Sequence, residues 1–358
     1  MFQKLPIMNN LRGVLWLFML GSVLAVFSCN QASDDSFDPC PRNTNENLIL
    51  TIQDQSTSAP ARVSVFFKID DKNGLPIAGL HSNQFTIYEK GRNDECERKI
   101  SNFEANAVIR NRHQVFNYHT VLILDLSASV TATSLTELKS AANSFIDQVI
   151  PEDSEEEFYM GIWWFDGEDG LHELVPVSTD PNELKAAVNG ISSDISNDPS
   201  TDLYGAVIES AEKANNILSV YEQLDIISAV SVVIFTDGTD QAGRHLKSDA
   251  LAAVNGSTEN VRFFTIGLGE EIDENILNQI GKNGFASAAN QAELENTFRH
   301  VADIIVAEAN SFYLFEYCSP KRDGSGINDL RIEAETEDGR VGSVLTQFDA
   351  TGFTGGCN

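Results

Sequence analysis

Four apolar runs separated by stretches of helical periodicity constrain this chain more than any other feature. Val121-Leu122-Ile123-Leu124 is continuous and uncharged, as expected of a strand buried on both faces of a parallel sheet. Further strands read at 158–165, 231–236 and 262–267, and helical stretches fall at 201–218, 245–254, 273–281 and 291–309. The first run is followed by Ser134-Leu135-Thr136-Glu137, a predicted capping box. A stripe of Leu135, Leu138, Ala142, Phe145, Ile146 and Val149 then continues at helical spacing. This alternation predicts an α/β domain over 119–309, with an open, doubly wound, mostly parallel sheet covered on both faces.

The flanks have a different period. In 48–118, residues 62–70 are β-rich and end at Asp71-Lys72-Asn73-Gly74, while residues 84–89 alternate apolar and polar before breaking at Lys90-Gly91. In 310–358, residues 312–317 and 330–336 read as strands on either side of a turn at Asp323-Gly324-Ser325-Gly326. Neither flank has enough strands for a sandwich alone. The economical reading is one small β-sandwich built from both, with the α/β domain inserted between its strands.

The N-terminus reads as an export signal over 1–28. Lys4 and Arg12 supply a basic region, and the apolar run from Gly13 to Phe27 is too short for a comfortable membrane span. It closes on Val26-Phe27-Ser28-Cys29, which resembles the bacterial lipobox, with Phe27 bulkier than usual there. That resemblance implies a lipidated Cys29 that anchors the chain in a membrane, with several acyl chains giving stable attachment. Residues 29–47 read as a polar tether, and Ser33-Asp34-Asp35 resembles the acidic tag that sends outer-membrane lipoproteins to the cell surface. The expected location is the bacterial outer membrane.

With Cys29 lipidated, Cys40, Cys96, Cys318 and Cys357 remain, and an even count in an exported chain favours disulfides. Four cysteines permit three pairings. Cys318–Cys357 brackets one C-terminal β segment and is favoured, which leaves Cys40–Cys96. Such a bridge stabilises by about 3–4 kcal/mol on the chain-entropy model. No C-x-x-C spacing or neighbouring histidine supports a zinc site instead.

Charge narrows the partners. The net value is −29, from 24 basic and 53 acidic residues, and the signal segment contains no acid. A surface so acidic repels phosphate backbones, so nucleic acid is not an expected partner.

Two apolar runs end in aspartate, giving Leu124-Asp125-Leu126-Ser127-Ala128-Ser129 and Ile234-Phe235-Thr236-Asp237-Gly238. In open parallel sheets ligands bind beyond the carboxyl ends of the strands. Ser200-Thr201-Asp202 opens a helix about 70 residues beyond Asp125. Taken singly, a Ser or Thr here is a helix cap and Thr-Asp-Gly a turn. Together, Asp-x-Ser-x-Ser, the later Thr and the second strand-end Asp resemble the metal-ion-dependent adhesion site of von Willebrand factor type A domains. The resemblance implies that the hydroxyls of Ser127, Ser129 and Thr201 and the carboxylates of Asp125 and Asp237 surround a divalent metal. In the family the carboxylates hold it mostly through water. Mg²⁺ is expected, with Mn²⁺ or Ca²⁺ as the other hard cations that take oxygen ligands. The partner implied is a protein whose acidic side chain completes the coordination, with 167–170, 192–200 and 238–245 as candidate specificity loops. The segment 80–91 resembles, more loosely, the small β domain beside such modules in bacterial exported proteins.

Enzyme readings find little support. Ser127 stands where an aspartyl-nucleophile phosphatase needs a second Asp. No Gly-x-Ser-x-Gly elbow or phosphate loop occurs, and the six histidines lack H-E-x-x-H spacing. The expectation is a non-enzymatic, metal-dependent adhesion or protein-binding module. The alternatives are a scaffold of an envelope complex and, behind it, metal-assisted hydrolysis.

Overall fold

One strand, Phe116–Asp125, is buried at all ten positions and organises everything around it. The computed structural model describes residue 40 and residues 46–110, 116–151, 158–321, 326–354 and 356–357. The chain divides into the units Met1–Pro41 and Arg42–Asn358. The export signal, Cys29, nearly all of the tether and residues 323–325 of the expected turn lie outside the described residues.

Five strands precede the buried one: β1 (Leu48–Ser58), β2 (Arg62–Asp71), β3 (Phe85–Lys90), β4 (Arg98–Ile100) and β5 (Val108–Arg110). The α/β part then runs β6 (Phe116–Asp125), α1 (Ala128–Thr133), α2 (Leu135–Val149), β7 (Phe158–Phe165), β8 (His172–Ser178) and α3 (Pro181–Gly190). It continues through α4 (Leu203–Glu222), β9 (Ile227–Thr236), α5 (Lys247–Gly256), β10 (Val261–Leu268), α6 (Glu274–Ile280), β11 (Gly284–Ala288) and α7 (Gln291–Ala309). The chain closes with β12 (Phe312–Cys318), β13 (Ile327–Glu335) and β14 (Val341–Asp349).

The inserted part is a six-stranded sheet in the order β11-β10-β9-β6-β7-β8, parallel except for the β7–β8 pair. Alternation within β6 feeds two cores. Leu122 and Leu124 join Phe145, Leu184 and Phe298 of α2, α3 and α7. Val121 and Ile123 join Val207, Ala250 and Ile280 of α4, α5 and α6. Both faces are therefore covered, which is why no position of the strand is exposed.

The capping box expected at Ser134 does not form. Ser134 is the N-cap of α2, but its side chain makes no cap hydrogen bond and its backbone sits at φ −129°, ψ 2°. The cause is the preceding short helix. Ser134 N–H already donates to Val130 O, which holds the residue in a helix-to-helix joint instead of the extended geometry a cap requires.

Two four-stranded antiparallel sheets, β1-β2-β12-β5 and β14-β13-β3-β4, make the flanking part. They enclose Val63, Val65, Phe67, Phe85, Phe315 and Ile332. Sequence-distant pieces interleave here, since β12 lies between β2 and β5. Cys318 and Cys357 are bonded with Cα atoms 5.8 Å apart, and Cys40 and Cys96 are each disulfide-bonded. Among the described residues no helix is long and apolar enough to cross a membrane.

The two parts share a base. Phe66 of β2 packs 5.3 Å from Phe116 and 5.9 Å from Phe312, which are 4.4 Å from each other. Beside them Glu308 Oε1 accepts from Lys68 Nζ at 2.8 Å and from Arg262 Nε at 2.8 Å. Lys68 also reaches Asp70 Oδ1 at 2.6 Å. Lys68 and Glu308 are buried, so strand β2, strand β10 and helix α7 meet on one desolvated ion network.

On β6, His119 stacks on Tyr159 at 4.8 Å and packs against the tilted ring of Tyr221 at 4.7 Å. Among the described residues neither ring nitrogen has a hydrogen-bond partner, and burial lowers its pKa from 6.5 to about 4. The unfolded chain therefore takes up the proton first. The contribution of His119 to stability should be whole above pH 6.5 and fall away as pH drops toward 4, by about 3 kcal/mol. His119→Phe should lack this loss, and urea titrations of both proteins at pH 7 and pH 4 would show it. Parallel pH dependence in the two would refute it.

Candidate metal centre

Strand order reverses at β6, with β7 on one side and β9 on the other. The crevice of an open parallel sheet opens at such a reversal, beyond the carboxyl ends of the strands. Asp125 is the last residue of β6, and Asp237 follows β9 directly. The fold thus brings two carboxylates 112 positions apart in sequence to one rim.

Asp125 is fully buried. Its Oδ1 accepts from Ser127 N–H at 2.9 Å and its Oδ2 from Thr236 Oγ1–H at 2.7 Å. Among the described residues no basic side chain pairs with it. Burial raises its pKa to about 7, against the hydrogen bonds of Thr236 and Ser127. Burial also raises Asp237.

Ser127 is the N-cap residue of α1, yet its side chain makes no cap hydrogen bond. Its Oγ lies instead 3.3 Å from Ser129 Oγ, which donates to Asp237 Oδ1 at 2.8 Å. The plain capping role open to a Ser at this place is therefore not taken. Thr201 is buried and tied to the site by its backbone. Its carbonyl accepts from Gln241 N–H at 2.8 Å and Ala242 N–H at 3.1 Å, and Pro199 O accepts from Ala128 N–H at 3.3 Å. Of the five residues named from sequence, Ser127, Ser129 and Asp237 are thus linked side chain to side chain. Asp125 joins through Ser127 N–H and Thr236, and Thr201 through its loop.

Three hydroxyls, two carboxylates and the lack of a compensating cation suit a hard divalent ion, which prefers oxygen donors and retains water. Such an ion would relieve the desolvation of Asp125.

Two contributors are not apparent from the motif. Thr236 reads as the last residue of a strand, and only the register of β9 beside β6 turns its hydroxyl to Asp125. Asp166 follows β7 as Asp237 follows β9 and carries the same strand-end signal. Its buried carboxylate accepts from Glu168 N–H, Ser196 Oγ–H, Asn197 N–H and Asp198 N–H at 2.8, 2.8, 3.0 and 3.2 Å. Asp166 O also accepts from Asp202 N–H at 2.8 Å. Asp166 is therefore the post on which the 196–202 loop, and Thr201 with it, is hung.

A family model described as von Willebrand factor type A domain matches residues 120–303, about half of the chain. The chain belongs to the von Willebrand factor type A family. Among solved structures, its type A fold is similar to proximal thread matrix protein 1 from the mussel byssus, solved with a zinc-occupied MIDAS motif. The two are 18% identical with a TM-score of 0.43, over 54% of this chain and 48% of that one. A von Willebrand factor type A protein from Catenulispora acidiphila is 12% identical, over 88% of this chain and 76% of that one, with a TM-score of 0.45. The corresponding domain of the type V pili tip protein from Porphyromonas gingivalis is 12% identical over 53% and 95%, with a TM-score of 0.41. The chain spans about half the length of the mussel protein. No protein with a curated description matches it.

Proposed function

We propose that this type A protein is exported, anchored by lipid on Cys29 in the outer membrane, and holds a protein partner through a divalent cation. The ion is Mg²⁺, or Mn²⁺ or Ca²⁺ in its place, and Ser127, Ser129, Thr201, Asp125 and Asp237 hold it. The reading includes Cys40–Cys96 as the second disulfide and no catalytic role for the site.

The observation that carries this reading is the hydroxyl of Ser127, which forgoes its helix and joins Ser129 and Asp237 beside a buried, uncompensated Asp125. Neutral hydroxyls leave the ion electrophilic, so a carboxylate from a partner suits its remaining position. A bound cation also offsets, at short range, the repulsion that a chain of net charge −29 exerts on an acidic ligand.

Two measurements test it. Calorimetry should give one Mg²⁺ site in the wild type, weakened at least tenfold in Ser129→Ala, a substitution at an exposed position. Crosslinking on whole cells should give adducts that EDTA and Ser129→Ala both remove, with membrane retention lost in Cys29→Ser. Adducts indifferent to EDTA and to the substitution would overturn the metal-dependent reading.

A further inference from the structure

Beyond the first centre, we propose a second cation site of transition-metal character built from Asp169, Asp202 and His245. The three residues come from the loop after β7, the start of α4 and the loop after β9. Their nearest ligand atoms all lie within 4.8 Å of one another. His245 Nε2 is 3.4 Å from Asp169 Oδ1 and 3.9 Å from Asp202 Oδ2. Donors about 2.1 Å from a tetrahedral ion stand about 3.4 Å apart. The first distance matches that spacing, and the second exceeds it by about 0.5 Å.

Asp202 distinguishes this cluster from an ordinary acidic surface. Its side chain is only 2% exposed. Its Oδ1 accepts from Gly205 N–H at 3.2 Å as the cap of α4, but among the described residues its Oδ2 has no hydrogen-bond partner. A buried carboxylate oxygen left this way is costly unless something electropositive meets it. The atom points at His245 Nε2 from a distance too long for a hydrogen bond.

Gly205 makes the approach feasible. A Cβ there would lie 2.3 Å from Asp202 Oδ2 and 2.8 Å from His245 Cδ2, so any larger residue would drive the carboxylate and imidazole apart. By contrast, the neighbouring group of Asp166, Glu168 and His172 has its buried carboxylate consumed by the 196–202 loop.

The ligand types set the metal class. Mg²⁺ and Ca²⁺ take oxygen sets, whereas an imidazole nitrogen with two carboxylates suits zinc and its first-row neighbours. Asp169 and His245 face solvent at 73% and 34% exposure, so water fills the outer positions. The loops joined are those that border Asp125 and Asp237. Arg244 Nε–H donates to Gly167 O at 2.7 Å and Tyr204 N–H to Asp240 Oδ1 at 3.1 Å, so they already touch. An ion there ties the rim into one piece.

The test uses the full chain, Zn²⁺ as titrant and a large excess of Mg²⁺ to occupy the first centre and the diffuse acidic surface. The wild type should bind one Zn²⁺, and Co²⁺ in its place should give a ligand-field absorbance band. His245→Gln and Asp169→Asn, both at solvent-facing positions, should weaken Zn²⁺ at least tenfold with unchanged circular dichroism. Ser129→Ala, which disables the first centre, should leave it unaffected. No Zn²⁺ uptake by the wild type, equal uptake by His245→Gln, or loss in Ser129→Ala would each overturn the proposal. Loss of Mg²⁺ binding in Ser129→Ala alone bears only on the first centre.

Discussion

Replacing Glu308 by alanine should cost the folded protein about 3–5 kcal/mol, because it leaves the buried Lys68 and the half-buried Arg262 without their shared anion. Glu308 Oε1 receives both Lys68 Nζ and Arg262 Nε at 2.8 Å. Lys68 would keep Asp70 at 2.6 Å, and Arg262 only a distant Asp70 Oδ2 at 3.8 Å. The loss is of the partner, and the network as a whole is not expected to be a large net stabiliser. Replacing Lys68, Arg262 and Glu308 together by apolar residues of similar volume should recover most of it. Urea midpoints of wild type, single and triple variants decide the matter, with near-equal values for wild type and Glu308→Ala as the refuting result. The network joins β2 to β10 and α7, so the single variant should also split unfolding into separate steps for sandwich and α/β part.

Asp125→Asn should act in the opposite direction when metal is withheld. Burial lifts the Asp125 carboxyl from 3.8 to about 7, so the folded chain holds that proton more tightly than the unfolded one. The associated stability is whole below pH 4 and lost as pH rises through 7. At pH 8 in EDTA the ionised side chain therefore costs about 4 kcal/mol, which a neutral amide of the same shape removes. Asp125→Asn should melt higher than wild type under those conditions. Adding Mg²⁺ should reverse the order, because a ligand bound only by the folded state stabilises in proportion to its occupancy. A variant less stable than wild type in EDTA at pH 8 would sink this account of the site. So would a wild type indifferent to Mg²⁺.

The long, strongly patterned elements are legible in the chain. Helix α7 spans the expected 291–309, and β7 the expected 158–165, because burial imposes an unbroken apolar run or stripe on each. Elements at the margins carry no such imprint. In His172–Ser178 only Val175 is buried, so the edge strand β8 has no period to read, and Pro176 argues against a strand interior. Strand β11 is Gly-Phe-Ala-Ser-Ala, without β-branched residues, and only its parallel register with β10 makes it a strand. Helix α3 is different. Asp180 caps it, Pro181 opens it and Glu183 follows, all signals present in the chain but hidden behind a reading built on apolar runs. At the candidate site, Asp125, Ser127, Ser129, Thr201 and Asp237 are picked out by their spacing alone. Thr236 and Asp166 act through hydrogen bonds across strands and loops, which no spacing encodes.

The inserted α/β part leaves the sandwich after β5 and returns in β12, and these strands pair directly, Leu314 opposite Arg110. Its two ends are thus neighbours, the arrangement that lets a module be cut out of one protein and spliced into a surface loop of another with little chain entropy to close. The same boundary is lined by Phe66, Phe116 and Phe312. A transplant would strip β2 from that aromatic cluster and Lys68 from Glu308. The module is portable by its topology and captive by its chemistry, so grafting it into a new host requires replacements for the faces that two strands, β2 and β12, turn toward it.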